Sequence, residues 1–435
     1  MSVSFKADAI VVGSGVAGGT IARELAAAGK KVIVIEKGPK LKKIAAKELV
    51  IDDGSGERTI ETMGERLGIL LDVKYADQPA NMPSDRVYFY RSLVVGGTSI
   101  TTAANAIRSC QKELQDLGVD LEEQFTEAER ELRVATGPME LMGDATRTIN
   151  RAAEDLGYEM RPMPKFVDFG LCKGCGRCTS GCPTKAKWTS LEFLEEAMGN
   201  GAKVEANITV EEVITKGGEA VGVKGHNAKG DMEFYGDITI LCAGAFSTPV
   251  ILQASGIDDA GKSLSVDFCR NTCGIIDSLG RTREQPTPTI CDDMYKERGF
   301  YITPVSYLDA RGFVIGITTK TKDGLSGTVH PDGSISKQMT TEDVRKLNEG
   351  SDLGRQILLK AGARPDTIFD GEVLGPHPAC TAPLGSVVDK NFEAIKMKNL
   401  FVCDASIFPT APGAPPVLTI VALSKYFSKM MACRT

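Results

Sequence analysis

The first forty residues contain the feature that most limits the possible folds of this chain. An apolar stretch at residues 7–12 runs into Gly13-Ser14-Gly15-Val16-Ala17-Gly18, a helical pattern follows over 20–28, and a second apolar stretch at 31–35 ends in Glu36. The order strand, G-x-G-x-x-G, helix, strand, acidic residue is that of a dinucleotide-binding βαβ unit. The sequence therefore predicts a dinucleotide site here, in preference to a glycine turn with a structural role alone.

Each residue of this motif has a predicted role. Gly13 would make the tight turn, Gly15 would let a pyrophosphate approach the backbone, and Gly18 would let helix and strand pack closely. The helix N-terminus would stabilise the phosphate charge. Glu36 would accept hydrogen bonds from a ribose.

A second feature is a cysteine loop at residues 170–187, in which four cysteines precede Pro183. Their spacing, C-x2-C-x2-C-x3-C-P, is typical of iron–sulfur ligation in bacterial ferredoxins. Glycines between the cysteines permit the tight turns that a cluster needs. The sequence therefore predicts a 4Fe–4S cluster on Cys172, Cys175, Cys178 and Cys182.

Three alternatives compete with the cluster. Zinc usually binds two close cysteine pairs that a longer loop separates, a disulfide is disfavoured in a reducing compartment, and the thiols could be buried without metal. If Cys182 does not close the cluster, a remote cysteine would supply the fourth ligand. The remote candidates are Cys110, Cys269, Cys273 and Cys380.

Composition excludes several classes of function. A formal charge of −6 argues against nucleic acid or an anionic membrane surface as the main partner. No apolar run approaches the roughly 20 residues that a membrane span needs. The N-terminal residues lack the pattern of a signal peptide, and 12 cysteines then indicate a reducing compartment. We expect a cytoplasmic protein, from an anaerobic or low-oxygen cell.

Periodicity predicts the remaining elements. Residues 44–77 are predicted as helix and connection, and Thr189 with Glu192 as a capping box at the start of a helix. The looser region 257–375 is predicted to contain an antiparallel sheet. Other predicted strands are 86–90, 238–243, 300–307 and 312–318, with three or four more within 203–237. Other predicted helices are 146–156, 246–255 and 341–362.

Five blocks of the sequence together resemble the glucose–methanol–choline (GMC) flavoprotein oxidoreductases, including their cholesterol-oxidase-like side. The blocks are VVGSGVAGGTIARELAAAGKKVIVIEKG, RSLVVGGTSITT, ITILCAGAFSTPVILQASGI, HPACTAPLG and NLFVCDASIFPTAPGAPPVLTIVAL. The resemblance implies FAD as the nucleotide. It implies an α/β fold in which a Rossmann-like FAD-binding domain of GMC type joins an antiparallel-sheet substrate domain and the iron–sulfur loop.

The resemblance also implies domain boundaries and site residues. The FAD-binding domain would comprise 1–160, 189–257 and 376–435, with the cluster loop at 161–188 and the substrate domain at 258–375. His377 matches the histidine that the family places over flavin N5 as catalytic base. The residues implied to bind FAD are Gly13, Gly15, Gly18, Glu36, Arg91, Gly96, Gly97, Thr98, Ser99, Val213, Ala243, Gly244, Asp404 and Ala405.

One position departs from the family pattern, because Pro415 stands where a second histidine or an asparagine is usual. The function predicted first is oxidation of a CH–OH group by hydride transfer to FAD, with electrons leaving singly through the cluster to ferredoxin or another redox protein. The reverse reaction would reduce a carbonyl or an activated C=C bond. A third possibility is an electron-transfer subunit of a larger complex.

Overall fold

The computed structural model describes residues 3–44, 49–52, 56–60, 70–80, 82–280 and 284–432. The α-helices of these residues are α1 (Val16–Ala27), α2 (Gln111–Asp116), α3 (Glu122–Glu131), α4 (Asp144–Asp155), α5 (Ser190–Gly199), α6 (Gly244–Ala254), α7 (Tyr295–Arg298), α8 (Thr341–Lys360) and α9 (Val417–Ala432). Two short 3-10 turns, Gly97–Thr101 and Cys178–Ser180, also matter for the site. Within the described ranges, every helix is too short or too polar to cross a lipid bilayer.

Most strands belong to two large sheets. In chain order the strands are β1 (Val3–Val12), β2 (Val32–Ile35), β3 (Lys40–Ile44), β4 (Leu49–Asp52), β5 (Glu57–Ile60), β6 (Asp72–Asp77), β7 (Arg86–Arg91), β8 (Val134–Thr136), β9 (Arg161–Pro162), β10 (Pro164–Phe166), β11 (Lys203–Glu205), β12 (Thr209–Lys216), β13 (Glu219–Asn227), β14 (Gly230–Leu241), β15 (Cys269–Gly274), β16 (Thr289–Ile290), β17 (Phe300–Asp309), β18 (Gly312–Thr321), β19 (Thr328–Val329), β20 (Ile335–Ser336), β21 (Phe369–Asp370), β22 (Val373–Leu374) and β23 (Leu400–Val402).

The first sheet is the nucleotide-binding layer predicted from the N-terminal motif. Its order is β11-β2-β1-β14-β13-β12, and β23 also pairs with β14. β1 runs parallel to β2 and β14, as β23 does to β14. Helices α5 and α9 pack against α1. A parallel sheet has both faces covered, which explains the continuous apolar run of β2, Val32–Ile35, whose residues are all buried.

The second sheet lies over the first and is largely antiparallel, as predicted for the region 257–375. Its order is β17-β18-β15-β22-β7-β6, and β21 also pairs with β15. Helix α8 packs on one face of this sheet, where a Cβ at Gly350 would lie 2.1 Å from Thr319. Because side chains alternate along a strand, the neighbours of Thr319 point to the opposite face. That opposite face borders the cavity described below.

One local prediction is wrong, and another is wrong for the part of its range that forms strands. The Thr189 side chain makes no capping hydrogen bond, and the Glu192 carboxylate instead accepts one from Arg133 at 2.8 Å. A capping box occurs at the start of α8, between Thr340 and Asp343. Residues 44–77, predicted as helix and connection, contain β4, β5 and β6, while 45–48, 53–55 and 61–69 lie outside the described residues.

The strand pairing crosses one predicted domain boundary. β7 falls in the segment predicted to belong to the FAD-binding domain, and it pairs in parallel with β22 of the second sheet. The domain boundaries stay a prediction. What the pairing establishes is that the second sheet draws strands from both sides of the cysteine loop.

Candidate active site

A cavity of about 810 Å³ lies between the two sheets. Strand ends of the first sheet, the 3-10 turn at Gly97–Thr101 and one face of the second sheet all contribute to its wall. Most of the residues predicted for the site meet here. Those that line the cavity are Gly13, Gly15, Glu36, Arg91, Gly97, Thr98, Ser99, Ala243, Gly244, His377, Asp404 and Ala405.

Three of the predicted residues do not line the cavity themselves but support residues that do. A Cβ at Gly18 would lie 1.8 Å from the carbonyl oxygen of Gly13, so Gly18 permits close packing of α1. Gly96 adopts a left-handed φ of 97° and begins the second glycine turn, residues 96–99; the first is the turn at residues 13–18. The Val213 N–H donates to Ser255 at 2.9 Å, and it is residues 208–210 that border the cavity.

The two glycine turns touch each other. Gly13 has a φ of 104°, and a Cβ there would lie 2.3 Å from the carbonyl oxygen of Cys242. A Cβ on Gly97 would lie 2.8 Å from the Cα of Gly15. Ser190, at the start of α5, stabilises this contact, because its hydroxyl donates to the carbonyl oxygens of Ser14 and Gly15 at 3.0 and 2.8 Å.

Gly15 forms a cradle that suits a pyrophosphate group. A Cβ built on Gly15 has no protein atom within 4 Å, although the residue borders the cavity and immediately precedes α1. The open space therefore belongs to the cavity, at the positive end of a helix dipole. This arrangement fits a bound dinucleotide.

Glu36 is held rigidly at the end of β2. One carboxylate oxygen accepts from the backbone N–H and hydroxyl of Ser14 at 3.0 and 2.7 Å, and the other accepts from the Gly38 N–H at 2.8 Å. Burial raises the pKa of Glu36, while these hydrogen bonds oppose the rise. A carboxylate carries about four acceptor sites, so capacity remains for a ribose hydroxyl.

Asp404 fixes the start of α6 on the opposite side of the cavity. Its Oδ2 accepts from the Gly244 N–H at 2.8 Å and from the Thr248 hydroxyl at 2.7 Å. Its Oδ1 accepts from the Ser406 N–H at 2.7 Å. The carboxylate thus joins the last strand of the first sheet to a helix whose first residue lines the cavity.

His377 faces the cavity from the second sheet and is paired with Asp267. Nδ1 of His377 lies 3.0 Å from Oδ2 of Asp267. Oδ1 of Asp267 accepts from the Gly413 N–H at 2.8 Å, and the backbone N–H of Asp267 donates to Asp323 at 2.9 Å. Among the described residues Nε2 of His377 has no hydrogen-bond partner, so this nitrogen is available to a molecule in the cavity.

The surroundings keep the imidazole neutral. Burial lowers the pKa of His377 well below its usual value, and the nearby charge of Lys320 lowers it further. Burial, followed by the charge of Asp323, raises the pKa of Asp267. A neutral imidazole whose Nδ1 is fixed by a carboxyl group can take up a proton at Nε2.

The cysteine loop lies beside the cavity. Thr179, within the loop, lines the cavity, and Lys187 joins the loop to the second glycine turn. The Nζ of Lys187 donates to the carbonyl oxygens of Cys178, Ser99 and Ile100 at 2.8, 2.9 and 2.8 Å. Lys187 and Lys165 are almost fully buried, and burial lowers the pKa of each to about 8.

The four cysteines do not converge into a ligand set. Cys172 accepts from the Gln285 amide at 3.1 Å and Cys182 contacts the Thr184 hydroxyl at 3.5 Å, whereas Cys178 is buried. Across the described part of the chain, no three cysteine, histidine or acidic side chains lie close enough to hold a metal ion. The donor chemistry suits a cluster, but the arrangement does not, so the iron–sulfur prediction is unsupported.

Three residues at the cavity were not found by sequence reasoning. Asp267, Asn271 and Lys320 lie in or next to β15 and β18, in a region whose polar pattern predicted only an antiparallel sheet. No sequence signal marks them, because β15 (CRNTCG) and the end of β18 (TTKT) are polar runs in which a further polar residue does not stand out.

Comparison with known proteins identifies the family. The chain matches the GMC oxidoreductase N-terminal model over residues 7–269 and the C-terminal model over residues 325–424. An uncharacterized protein of Methanocaldococcus jannaschii is 30% identical, with 97% of this chain and 98% of that protein covered. A long-chain-alcohol oxidase of Arabidopsis thaliana is 23% identical, with 99% of this chain and 68% of that protein covered.

Among solved structures, a pyridoxine 4-oxidase from Mesorbium loti superposes with a TM-score of 0.74 at 15% identity, covering 97% of this chain and 98% of its own. This likeness establishes the fold. The two family models together span most of the chain and include the glycine turns, His377 and Asp404. The chain therefore belongs to the GMC oxidoreductase family and is an FAD-dependent oxidoreductase.

Proposed function

We propose that this protein oxidises a CH–OH group of a small molecule, with His377 as the catalytic base. The observation that carries the proposal is the free Nε2 of His377, which faces a cavity bordered by both glycine turns while Nδ1 is held by Asp267. The alcohol oxidase relative supports the same chemistry, since its name gives a CH–OH substrate.

Each residue at the cavity would have a separate role in binding or catalysis. Gly15 and the N-terminus of α1 would hold the pyrophosphate, and Glu36 the ribose. Bound FAD supplies the acceptor for the hydride that leaves the substrate carbon. Nε2 of His377 takes the hydroxyl proton as the C–O bond becomes a carbonyl, so that one proton and one hydride leave together.

Pro415 changes how the substrate oxygen is held. It lines the cavity where the family usually has a hydrogen-bonding side chain, and proline has neither a polar side chain nor a backbone N–H. The alkoxide that develops therefore depends on the imidazolium formed at His377. A single base that both accepts the proton and stabilises the oxygen would make the rate especially sensitive to substitution of His377.

The reverse reaction, reduction of a carbonyl, would use the same atoms. The electron-transfer subunit without a substrate is less well supported, because His377, Asn271 and Lys320 place three specific polar side chains in the wall of the cavity. A surface for a redox partner alone has no need of a buried base.

The cysteine spacing alone carries a separate proposal, that the four thiols take up a 4Fe–4S cluster, for which they would have to move together from the positions described above. Burial raises the pKa of Cys178, and the charges of the buried Lys165 and Lys187 oppose that rise, which favours the thiolate that a cluster needs. Electron exit to ferredoxin depends on that cluster and stays a prediction. Anaerobic purification followed by iron and sulfide analysis tests it, and an iron-free protein with full FAD occupancy would remove the cluster.

One experiment tests the catalytic proposal. The FAD-loaded protein is mixed anaerobically with a panel of primary alcohols, secondary alcohols and hydroxy acids, and loss of oxidised-flavin absorbance is recorded. At least one CH–OH compound should bleach the flavin, with the matching carbonyl compound recovered as product. Bleaching by none of them, together with reoxidation of reduced enzyme by carbonyl compounds, would establish the reverse direction instead.

A further inference from the structure

Lys320 is a buried cation without a hydrogen-bond or ion-pair partner among the residues that the structure describes. It is 8% exposed, lies near the end of β18 and lines the cavity. Within the described ranges its ammonium group makes no hydrogen bond or ion pair with any side chain or carbonyl oxygen. A buried charge is ordinarily paired, because removing it from water is costly. The missing partner therefore belongs to what enters the cavity.

Strand pairing places Lys320 within a polar patch on the cavity face of the second sheet. Lys320 is directly opposite Cys269 on β15 and Tyr301 on β17, and all three line the cavity. Two positions earlier, Thr318 is opposite Asn271 and Thr303, which line it as well. Residues two apart on one strand share a face, so these two rows lie side by side.

Asn271 adds a neutral donor to this patch. Its Oδ1 accepts from the Thr318 hydroxyl at 2.7 Å, which fixes the orientation of the side-chain amide. Nδ2 is then the free end, and no acceptor for it occurs among the described residues. An ammonium group and an amide N–H on adjacent rows together match the two oxygens of a carboxylate.

The nearest carboxylates of the protein do not satisfy Lys320. Asp267 is close enough for the two charges to influence each other. Its two oxygens are nevertheless committed to His377 and to the Gly413 N–H, at 3.0 and 2.8 Å. Asp323 is bound to Lys337 in a fully buried ion pair. Both acidic groups therefore have other cationic or N–H partners.

We propose that Lys320 and the amide of Asn271 bind a carboxylate group of the substrate, which makes small hydroxy acids the substrate class. This inference rests on the proposed function, because the carboxylate would hold the CH–OH carbon beside His377. An uncharged alcohol would leave the buried ammonium group without a counter-ion. Recognition by a single lysine and an amide suits a carboxylate better than a phosphate, which is usually bound by several donors.

A binding titration tests the inference without requiring turnover. Propionate, which has no CH–OH group, is titrated into the FAD-loaded full chain, and the shift of the flavin absorbance spectrum gives the Kd. Propionamide, an uncharged molecule of the same shape, serves as the reference ligand. The variants are Lys320→Met and Lys320→Arg, and the matched control is Lys322→Met, since Lys322 pairs with Glu113 and does not border the cavity.

The expected result is that Lys320→Met weakens propionate binding by about 10- to 100-fold, the range for hydrogen bonds to a charged group. Lys320→Arg should retain part of the affinity. Lys322→Met should match the wild type, and the Kd of propionamide should be the same in all four proteins. Far-UV circular dichroism verifies that each variant is folded, and FAD content is measured separately in each sample.

Three results would overturn the inference. One is propionate binding of equal strength in wild type and Lys320→Met. Another is inorganic phosphate binding more tightly than propionate through the same lysine, which would assign the site to a phosphorylated substrate. The third is loss of FAD from Lys320→Met, which would make the cofactor the anion. If propionate binds as expected but no hydroxy acid bleaches the flavin, the proposed reaction fails while the carboxylate site stands.

Discussion

His377 and Asp267 form a hydrogen-bonded pair across two segments of the chain, with Nδ1 of the imidazole 3.0 Å from Oδ2 of the carboxylate. Asp267 has a left-handed φ of 53° and sits just before β15. Its other oxygen binds the Gly413 N–H near the start of α9. The pair therefore ties the second sheet to the C-terminal segment, and its geometry depends on both.

The first prediction concerns His377 itself. His377→Gln should slow flavin reduction by the best CH–OH substrate about 10²- to 10⁴-fold, the usual contribution of a positioned base. FAD content should be unchanged, because the histidine is not in a glycine turn. Anaerobic stopped-flow absorbance measures the rate. His226→Gln is the control, since His226 is exposed and pairs with Glu211; an equal loss in both variants would contradict the assignment.

The second prediction treats Asp267 as a positioning residue. Asp267→Asn keeps the size of the side chain but offers Nδ1 of His377 an amide in place of a carboxyl group. We expect the flavin-reduction rate to fall at least about tenfold with little change in substrate KM, because the imidazole loses its fixed tautomer. Steady-state and stopped-flow kinetics separate the two effects, with the exposed Asp258→Asn as control. A change in KM alone would indicate a role in binding.

The third prediction is the pH profile of the rate. Since burial and Lys320 both lower the pKa of His377, the imidazole stays neutral and the rate should be flat from about pH 6 to 8, falling only at lower pH. Lys320→Met removes a repelling positive charge, so the pKa of His377 should rise and the acid limb should move to higher pH. Flavin reduction measured between pH 4.5 and 8.5 gives both curves. A limb that moves to lower pH would contradict the electrostatic argument.

The fourth prediction separates FAD binding from folding. Gly15→Ala adds a methyl group where no protein atom lies within 4 Å, so the apoprotein should unfold at nearly the wild-type temperature. The methyl group enters the pyrophosphate cradle and should weaken FAD binding at least about tenfold. Gly199→Ala, at the end of α5, also meets open space but lies away from the cavity. Calorimetry of both apoproteins, followed by FAD titration, makes the comparison. An unchanged affinity of Gly15→Ala for FAD would show that Gly15 does not border the pyrophosphate.

The fifth prediction concerns Lys187. Its ammonium group donates to four backbone carbonyl oxygens, those of Cys178, Ser99, Ile100 and Thr102. Lys187→Met would leave buried acceptors unsatisfied, so the free energy of unfolding should fall by at least about 2 kcal/mol. Urea denaturation measures the change. Lys173→Met, on the exposed side of the same loop, should change stability by less than about 0.5 kcal/mol.

The sequence was most informative where one pattern determined both the local structure and its burial. β1, α1 and β2 follow from apolar runs and glycine spacing, because a buried parallel strand must be apolar throughout. β17, β18 and α8 could likewise be predicted from the spacing of their apolar residues. Within 44–77 the strands β5 and β6 were missed because they are short, charged and largely exposed, and strands of this kind give only a weak hydrophobic period.

The site was predictable only in part for a different reason. Glycine turns are local, so Gly13 and Gly97 could be found from neighbouring residues. The partnership of His377 with Asp267 joins positions far apart in sequence, and no spacing rule connects them. Lys320 stands in an unremarkable run of threonines and lysines, and only the pairing of β18 with β15 and β17 reveals that it faces the cavity.

The contact between Gly15 and Gly97, which the Ser190 hydroxyl stabilises, limits the order in which the site can form during synthesis. Because this contact involves all three residues, a nascent chain cannot complete it until α5 has left the ribosome. His377 and Asp404 follow α5 in the sequence and therefore emerge later still. Because the cavity is lined by segments far apart in sequence, a chain that ended before His377 and Asp404 would lack part of the predicted FAD site.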